Sequence, residues 1–301
     1  DETRIPQDGR TSVQTTDGRE MDLRVSTLPT VNGEKVVMRL QDKSKDIPTL
    51  EALGILGNAQ KAIKTSLTKP NGVILTSGPT GSGKTTTLYA SLNILNQEGV
   101  NILTIEDPVE IQLDGLNQAQ VKADIGFDFA KGLRAALRQD PDIVLIGEMR
   151  DAETIEAALT IAETGHLVFG TLHTNSCVQT INRVINVFAA DQQDQVRTLL
   201  SFVLQGVVSQ QLLAKSFEPG RVASMEIMIP TPAIRNLIRE DKIHQIYSQM
   251  QIGQEKTGMI TMNQSLCRLV ERGVIDADTA MTYTTVPEEL AQKLGIKNRG
   301  L

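Results

Sequence analysis

Alternating apolar and polar positions mark the first part of the chain. The alternation covers residues 13–16, 21–26 and 35–40. It is typical of half-buried β-strands. Asp17-Gly18 and Asn32-Gly33 lie between these stretches, and such pairs favour tight hairpins because glycine accepts a positive φ. We therefore predict a small sheet of hairpin-connected strands, followed by a polar linker that ends near Pro48.

The pattern changes to short, continuous apolar runs beyond residue 50. These runs are residues 72–77, 101–105, 142–147, 166–171 and 221–229. Runs of this kind are typical of fully buried strands in a parallel or mixed sheet, and the helix-length segments between them predict βαβ units. From about residue 232 the pattern is helical, with candidate helices at 232–239, 262–272 and 276–282.

The composition narrows the class of protein. Apolar residues make up 40% and charged residues 22%, as in ordinary globular proteins. A net charge of −6 argues against a general nucleic-acid binder, and 3% aromatic residues argue against a stacking platform for single strands. Cys177 and Cys267 are isolated, which favours reduced thiols in a cytosolic protein. The first residue is Asp1 rather than Met, which we interpret as part of a longer protein.

A glycine-rich stretch follows the strand predicted at 72–77 and opens a helix predicted over 84–95. It matches G-x-x-x-x-G-K-[ST] in full. The glycines permit turns whose N–H groups converge on phosphate oxygens, Lys84 brings a positive charge, and the Thr85 hydroxyl can hold Mg²⁺. The alternative is a chance match in a turn. The phosphate-binding prediction covers Gly78, Pro79, Thr80, Gly81, Ser82, Gly83, Lys84 and Thr85.

A carboxylate follows the buried strand predicted at 142–147. Glu148 lies just past its end, where it could polarise or position the attacking water of an NTP hydrolase. The alternative is that Glu148 only caps the following helix, since acidic side chains favour helix N-termini.

Three carboxylates, Glu106, Asp107 and Glu110, follow the strand predicted at 101–105. They would repel one another unless a cation or an arginine were near. We therefore predict that Glu106 and Asp107 act at Mg²⁺ or at a bound water. A solvated acidic loop is the alternative.

His173 follows the strand predicted at 166–171. Ligands of such sheets bind at the carboxyl ends of the strands, so His173 should share an edge with Glu106 and Glu148. It could contact a terminal phosphate there. The alternative is a structural histidine, which is our interpretation of His166 at the start of the same strand.

Four blocks in this order resemble the ATPases of type II secretion systems and type IV pili. They are residues 78–85 (Walker A), 104–110 (the Asp box), 142–151 (Walker B) and 165–174 (the His box). The resemblance covers essentially the whole chain, and four ordered motifs are far more specific than a P-loop alone.

The resemblance implies a fold class and an assembly. The fold is α/β, with a small N-terminal α/β domain followed by a RecA-like P-loop ATPase domain with a helical C-terminal extension. Residues 1–42 would belong to the small, PAS-like domain, 43–50 to a linker, and 51–301 to the ATPase domain, helical from about 232. The family implies a cytoplasmic homo-hexamer that uses ATP and Mg²⁺ and reaches the inner membrane through partners, chiefly a platform protein.

The same resemblance implies roles for single residues. Glu148 would be the catalytic glutamate, Glu106 and its neighbours would act at Mg²⁺ or water, and His173 would contact the terminal phosphate. Arg24 and Arg39 match the places of the family's arginine fingers, which stabilise charge on transferring phosphoryl oxygens when the domains close. A surface salt bridge is the alternative for either arginine.

The direction of work stays open. Residues 1–50 are similar to the assembly and secretion branch, whereas 221–258 and 261–266 are similar to the retraction branch. The four-cysteine zinc motif of most assembly enzymes, expected after about residue 213, is absent, so no zinc is implied. The mixture favours a pilus motor, with a type II secretion motor as the alternative. Two rivals of other classes are a nucleotide-dependent switch or scaffold and a DNA-translocating ring, although the composition predicts no nucleic-acid partner.

Overall fold

The computed structural model describes residues 2–18, 20–42 and 47–296, and the chain divides into two compact units, Asp1–Ile47 and Pro48–Leu301. Four residues of the predicted linker, 43–46, lie outside the described residues.

The first unit is a small antiparallel sheet. Within residues 2–18 and 20–42 its strands, in the order β1-β2-β3, are β1 (Gln7–Gln14), β2 (Glu20–Thr30) and β3 (Gly33–Asp42). Gly18 and Gly33 have φ of 85° and 118°, in the region that favours glycine. Both predicted hairpins are therefore confirmed. The strands are longer than the alternating stretches, since β2 and β3 stay paired from Met21 to Thr30.

The second unit is built on a mixed sheet. Within residues 47–296 this sheet has seven strands, in the order β10-β9-β4-β8-β7-β5-β6. The strands are β4 (Gly72–Ser77), β5 (Ile102–Glu106), β6 (Leu116–Gln120), β7 (Ile143–Ile146), β8 (Leu167–Leu172), β9 (Leu204–Ala214) and β10 (Arg221–Met228). β10 is antiparallel to β9, and the other neighbours are parallel. Every residue of β4, β7 and β8 is buried, as the continuous apolar runs predicted.

Helices follow most of these strands. In the described part of this unit they are α1 (Gly57–Leu67), α2 (Lys84–Leu95), α3 (Phe129–Ala136), α4 (Ala152–Glu163), α5 (Cys177–Asn186), α6 (Gln193–Val203), α7 (Pro232–Arg239), α8 (Ile246–Met250), α9 (Gln254–Thr257), α10 (Met262–Glu271), α11 (Ala277–Tyr283) and α12 (Pro287–Leu294). Among the described residues, no helix is both long and apolar enough to cross a membrane.

Among residues 47–296, two apolar clusters help to hold the second unit together. The larger one packs the central strands against α3 to α8, with Leu133, Ile155 and Ile181 among its fully buried members. The second one joins Leu213 on β9 to α10, α11 and α12 through Leu266 and Leu290. The helical C-terminal region therefore packs directly on the strand next to β4, which leads into the glycine-rich loop.

Sequence reasoning missed two strands, β6 and β9. β6 is an edge strand of the described sheet with the sequence LNQAQ, and its residues are only partly buried or exposed. An edge strand needs little apolar surface, so it leaves a weak pattern. β9 is almost entirely buried, but Ser209, Gln210 and Gln211 interrupt its apolar run.

Candidate active site

The glycine-rich loop joins β4 to α2. Gly78, Gly81 and Gly83 have φ of 144°, 80° and 90°, values that side-chain-bearing residues rarely adopt. Gly83 is the N-cap of α2, so no side chain covers the first turn of that helix. The free N–H groups and the positive end of the helix dipole then favour an anion at this point.

Lys84 lies inside the loop that precedes it. Its ammonium donates to the carbonyl oxygens of Gly78 at 2.7 Å and Pro79 at 3.1 Å. Burial lowers the pKa of Lys84, while the nearby Glu148 carboxylate opposes that shift. The positive charge is thus held at the centre of the loop, where a phosphate group would need it.

Glu148 lies beyond the carboxyl end of β7 and belongs to a small charged cluster. Its carboxylate is paired with Arg150 and accepts from His173 Nε2 at 3.0 Å. The capping alternative is wrong for this residue, because the side chain of Asp151 caps α4 by accepting from the Thr154 N–H at 2.8 Å.

His173 connects the charged cluster to the loop. Its Nδ1 lies 3.5 Å from Lys84 Nζ, and its Nε2 contacts Glu148. Burial and the Lys84 charge lower the pKa of His173, against the pull of Glu148. A neutral ring is therefore favoured. Since an ammonium only donates, Nδ1 accepts from Lys84 and Nε2–H donates to Glu148.

Glu106 ends β5 and is almost fully buried. One carboxylate oxygen accepts from the Tyr89 hydroxyl at 2.5 Å, and the other accepts from Thr104 at 2.7 Å and Gln118 at 3.2 Å. The alternative of a solvated acidic loop is therefore wrong for Glu106, which is 4% exposed, whereas Asp107 is exposed. Neutral donors, rather than the cation or arginine expected from the sequence, hold this carboxylate.

A cavity of about 70 Å³ lies between the loop and the Asp box. Thr85, Glu106, Asp107 and Glu110 are among the residues that line it. Among the described residues, no group of three or more His, Cys, Asp or Glu side chains could hold a metal ion by itself, so a cation here would also need ligands from a nucleotide or from water. Glu106 and Thr85 are thus brought to one cavity, and Glu148, His173 and Lys84 to one cluster.

Known proteins match this chain closely in sequence and fold. A family model described as type II/IV secretion system protein matches residues 1–282. The type IV pilus retraction ATPase PilT of Pseudomonas aeruginosa is 51% identical over 245 residues, 80% of this chain and 69% of that protein. Type II secretion system protein E of the same organism is 51% identical over 212 residues, 70% of this chain and 41% of that protein. The crystal structure of the pilus retraction motor PilT with bound ADP gives a TM-score of 0.82 at 41% identity, covering 96% of this chain and 80% of that one.

The chain belongs to the type II/IV secretion system protein family. Its α/β fold class, with a small sheet followed by a P-loop ATPase unit, is confirmed by the match to PilT. This member of the family is a nucleotide-binding ATPase. It spans less than half the length of the secretion protein that it matches.

The two arginines that the family resemblance singled out lie in the first unit. Arg24 on β2 is directly opposite Arg39 on β3, and Arg10 on β1 is opposite Arg24. Arg10 is paired with the buried carboxylate of Asp22. Arg24 is partly buried and Arg39 is exposed. A role for either arginine at the nucleotide stays a prediction.

Sequence reasoning missed the residues that hold the family motifs in place. Tyr89 and Gln118 reach Glu106 from α2 and β6. Gln210 on β9 reaches the glycine-rich loop. A usable signal existed only for Gln210, since a glutamine inside an apolar run must find buried partners for its amide.

Proposed function

We propose that the chain is one subunit of a hexameric ring ATPase that drives a type IV pilus. The observation that carries the proposal is the meeting of Lys84, His173 and Glu148 at the carboxyl ends of neighbouring strands, beside a complete phosphate-binding loop. The identity to PilT over most of the chain supports the pilus assignment. A type II secretion motor is the second candidate, because type II secretion system protein E is also 51% identical to this chain, over 212 residues.

Binding and turnover fall to different groups in this proposal. Residues 78–85 hold the phosphates through main-chain N–H groups and the Lys84 ammonium. Glu148 positions or polarises the attacking water, and His173 contacts the terminal phosphate. Arg24 and Arg39 act as arginine fingers, which stabilise charge on the transferring phosphoryl oxygens.

Magnesium is the proposed metal. Thr85 would hold it directly, and Glu106 and Asp107 through water, which fits the hydroxyl and carboxylates that line the cavity. When bound with ATP, the ion neutralises charge that develops on the β- and γ-phosphate oxygens. Glu106 is kept oriented by three hydrogen bonds, so its own contribution is a fixed negative charge at this wall of the cavity.

The organisation of the whole protein is part of the proposal. Residues 1–42 are assigned to the small N-terminal domain, 43–50 to the linker, and 51–301 to the motor domain with a helical region from about 232. The division into compact units after Ile47 supports this assignment. The motor would work at the inner membrane through a platform protein of the pilus or secretion machine.

Two substitutions test the chemistry. Lys84→Ala should raise the Kd for ATP by at least about tenfold, whereas Glu148→Gln should bind ATP normally and lose turnover by about a hundredfold or more. Calorimetry and phosphate release measure the two effects. The exposed residues Lys61 and Glu156 supply matched controls in Lys61→Ala and Glu156→Gln. If Glu148→Gln hydrolysed ATP at the normal rate, Glu148 would not be the catalytic residue.

The biological role is tested genetically. Deletion of the gene followed by a count of surface pili should give no pili for an assembly motor and excess pili for a retraction motor. Unchanged pili with lost protein export would establish the secretion motor instead. Mass measurement with Mg-ATP tests the hexamer, and a monomer at all concentrations would overturn the ring.

A further inference from the structure

Gln210 on β9 is a buried polar residue, 1% exposed, and both ends of its side-chain amide are hydrogen-bonded. Its Oε1 accepts from the Thr87 hydroxyl at 2.7 Å, and its Nε2 donates to the main-chain oxygen of Ser82 at 2.7 Å. A carbonyl oxygen only accepts, so the nitrogen must face Ser82. The orientation of the amide is therefore fixed by its partners.

The same residue touches the loop at both of its ends. A Cβ atom at Gly78 would lie 2.1 Å from the main-chain oxygen of Gln210, and one at Gly83 would lie 2.7 Å from its Nε2. The contact with the main chain excludes a side chain at Gly78, whereas a side chain at Gly83 would have to displace the Gln210 amide. The glycine-rich loop thus lies directly against Gln210, and Gly78 is required for this close approach as well as for its positive φ.

The bond to Ser82 fixes the direction of a neighbouring N–H group. The peptide between Ser82 and Gly83 is planar and trans, so its C=O and N–H point in opposite directions. Because the Ser82 carbonyl points at Gln210, the Gly83 N–H points away from β9. Thr87, one turn into α2, anchors the other end of the amide and ties the loop to its helix.

We propose that Gln210 is a positioning residue for nucleotide binding, which sets the loop so that its N–H groups face the phosphates before the nucleotide arrives. The inference rests on the proposed phosphate-binding role of this loop and adds a residue outside all four sequence motifs. A preorganised loop loses less conformational freedom on binding, so the contribution appears in affinity. It does not appear in the chemical step, since Gln210 lies behind the loop.

Three variants separate the contacts of the amide. Gln210→Leu removes both hydrogen bonds at similar volume. Gln210→Glu keeps an acceptor for Thr87 but places a carboxylate oxygen against the Ser82 carbonyl oxygen. Thr87→Val removes one anchor and leaves the Ser82 contact. Gln211→Leu is the matched control, because Gln211 is the neighbouring glutamine, also buried at 6% exposed, on the opposite face of the same strand.

The measurements are the Kd for ADP and ATP by calorimetry, with the KM and kcat of hydrolysis. Gln210→Leu and Gln210→Glu should each raise Kd and KM by about tenfold, with kcat within about threefold. Thr87→Val should raise Kd by about threefold, and Gln211→Leu should leave it within about twofold.

A Gln210→Leu enzyme with the wild-type Kd would overturn the proposal. A loss of nucleotide affinity in Gln211→Leu equal to that in Gln210→Leu would overturn it as well. If Gln210→Leu does not fold, Thr87→Val decides, and an unchanged Kd in that variant counts against the positioning role. Failure here is distinct from failure of the motor function, because Lys84→Ala would still lose ATP binding.

Discussion

Tyr89→Phe should slow ATP hydrolysis through Glu106. Tyr89 is 1% exposed, and its hydroxyl donates to one oxygen of Glu106 at 2.5 Å. Burial and the Glu106 charge raise the pKa of Tyr89 above its ordinary value. The phenol therefore stays protonated, and donates, over the whole working pH range.

The size of the effect follows from the three hydrogen bonds to this carboxylate. A hydrogen bond to a charged group contributes about 1.5–3 kcal/mol. Thr104 and Gln118 still hold the other oxygen, so we expect a loss of about 2 kcal/mol in unfolding free energy, or roughly 4–8 °C in Tm. If about 1.4 kcal/mol of that reaches the transition state through a misplaced Glu106, kcat falls about tenfold.

The chain offers a matched control in Tyr247. Its hydroxyl donates to Glu289 at 2.5 Å, and neither residue lines the cavity beside the loop. Tyr247→Phe should also lower Tm, by a smaller amount because Tyr247 is only partly buried, and leave kcat within about twofold. Comparing the two variants separates a loss of stability from a loss of function.

The refuting result is a Tyr89→Phe enzyme with a lowered Tm and wild-type kcat at saturating Mg-ATP. A double-mutant cycle with Glu106→Gln is a second test. If the free-energy effects of the two substitutions on kcat are additive, the Tyr89 hydroxyl does not act through Glu106.

Three further predictions concern other parts of the molecule. The pKa of His173 is lowered in the folded chain, so below about pH 6.5 the unfolded chain binds a proton more readily than the folded chain does. The Tm of the wild type should therefore fall more steeply with decreasing pH than the Tm of His173→Asn. Parallel plots of Tm against pH for the two proteins would contradict this. Arg24→Ala should slow hydrolysis by about a hundredfold or more without abolishing ATP affinity. Arg4→Ala is the control, because Arg4 is exposed. Unchanged turnover in Arg24→Ala would mean that Arg24 is a structural residue. Glu226 is fully buried and accepts from the N–H groups of Cys177 at 2.6 Å and Met262 at 3.3 Å. In Glu226→Gln the amide nitrogen would face one of these N–H donors, so the free energy of unfolding measured in urea should fall by about 2–3 kcal/mol. An unchanged free energy of unfolding would refute the role of this carboxylate at the starts of two helices.

The sequence predicted the parts of the site that lie at strand ends. β4, β7 and β8 are buried throughout, so their apolar runs are continuous and stand out. The polar residues directly after such runs, Glu148 and His173 among them, could therefore be brought to one edge of the sheet by topology alone.

The contacts that support the site could not be predicted in this way. Glu106 is held by Tyr89 from α2 and Gln118 from β6, and neither spacing has a periodic signature. Buried glutamines break the apolar pattern on which strand prediction rests, so β9 was missed, and with it the signal that Gln210 offered. Supporting residues of this kind are chosen by the geometry of the folded chain, which a linear pattern does not contain.

Main-chain and hydroxyl contacts tie together the strand ends that carry the site. Thr171 donates to the Gly147 carbonyl at 2.5 Å, and the Met149 N–H donates to the Thr171 carbonyl at 2.9 Å. These bonds continue the pairing of β7 with β8 beyond its last strand residues. On the other side of β8, the hydroxyls of Thr180 and Ser77 are hydrogen-bonded at 2.9 Å, which joins α5 to the end of β4.

The freedom of the site must then lie in its side chains. Lys84 is held by carbonyl oxygens of its own loop, and Glu148 by Arg150 and His173. A triphosphate that takes the Lys84 ammonium removes the donor from His173 Nδ1, and the His173 ring then has a lone pair to satisfy elsewhere. Because the other ring nitrogen contacts Glu148, a nucleotide in the loop would affect the Glu148 carboxylate through the imidazole of His173. Nucleotide binding can thus alter the groups around Glu148 by rotation of side chains, with the backbone of the strand ends unchanged.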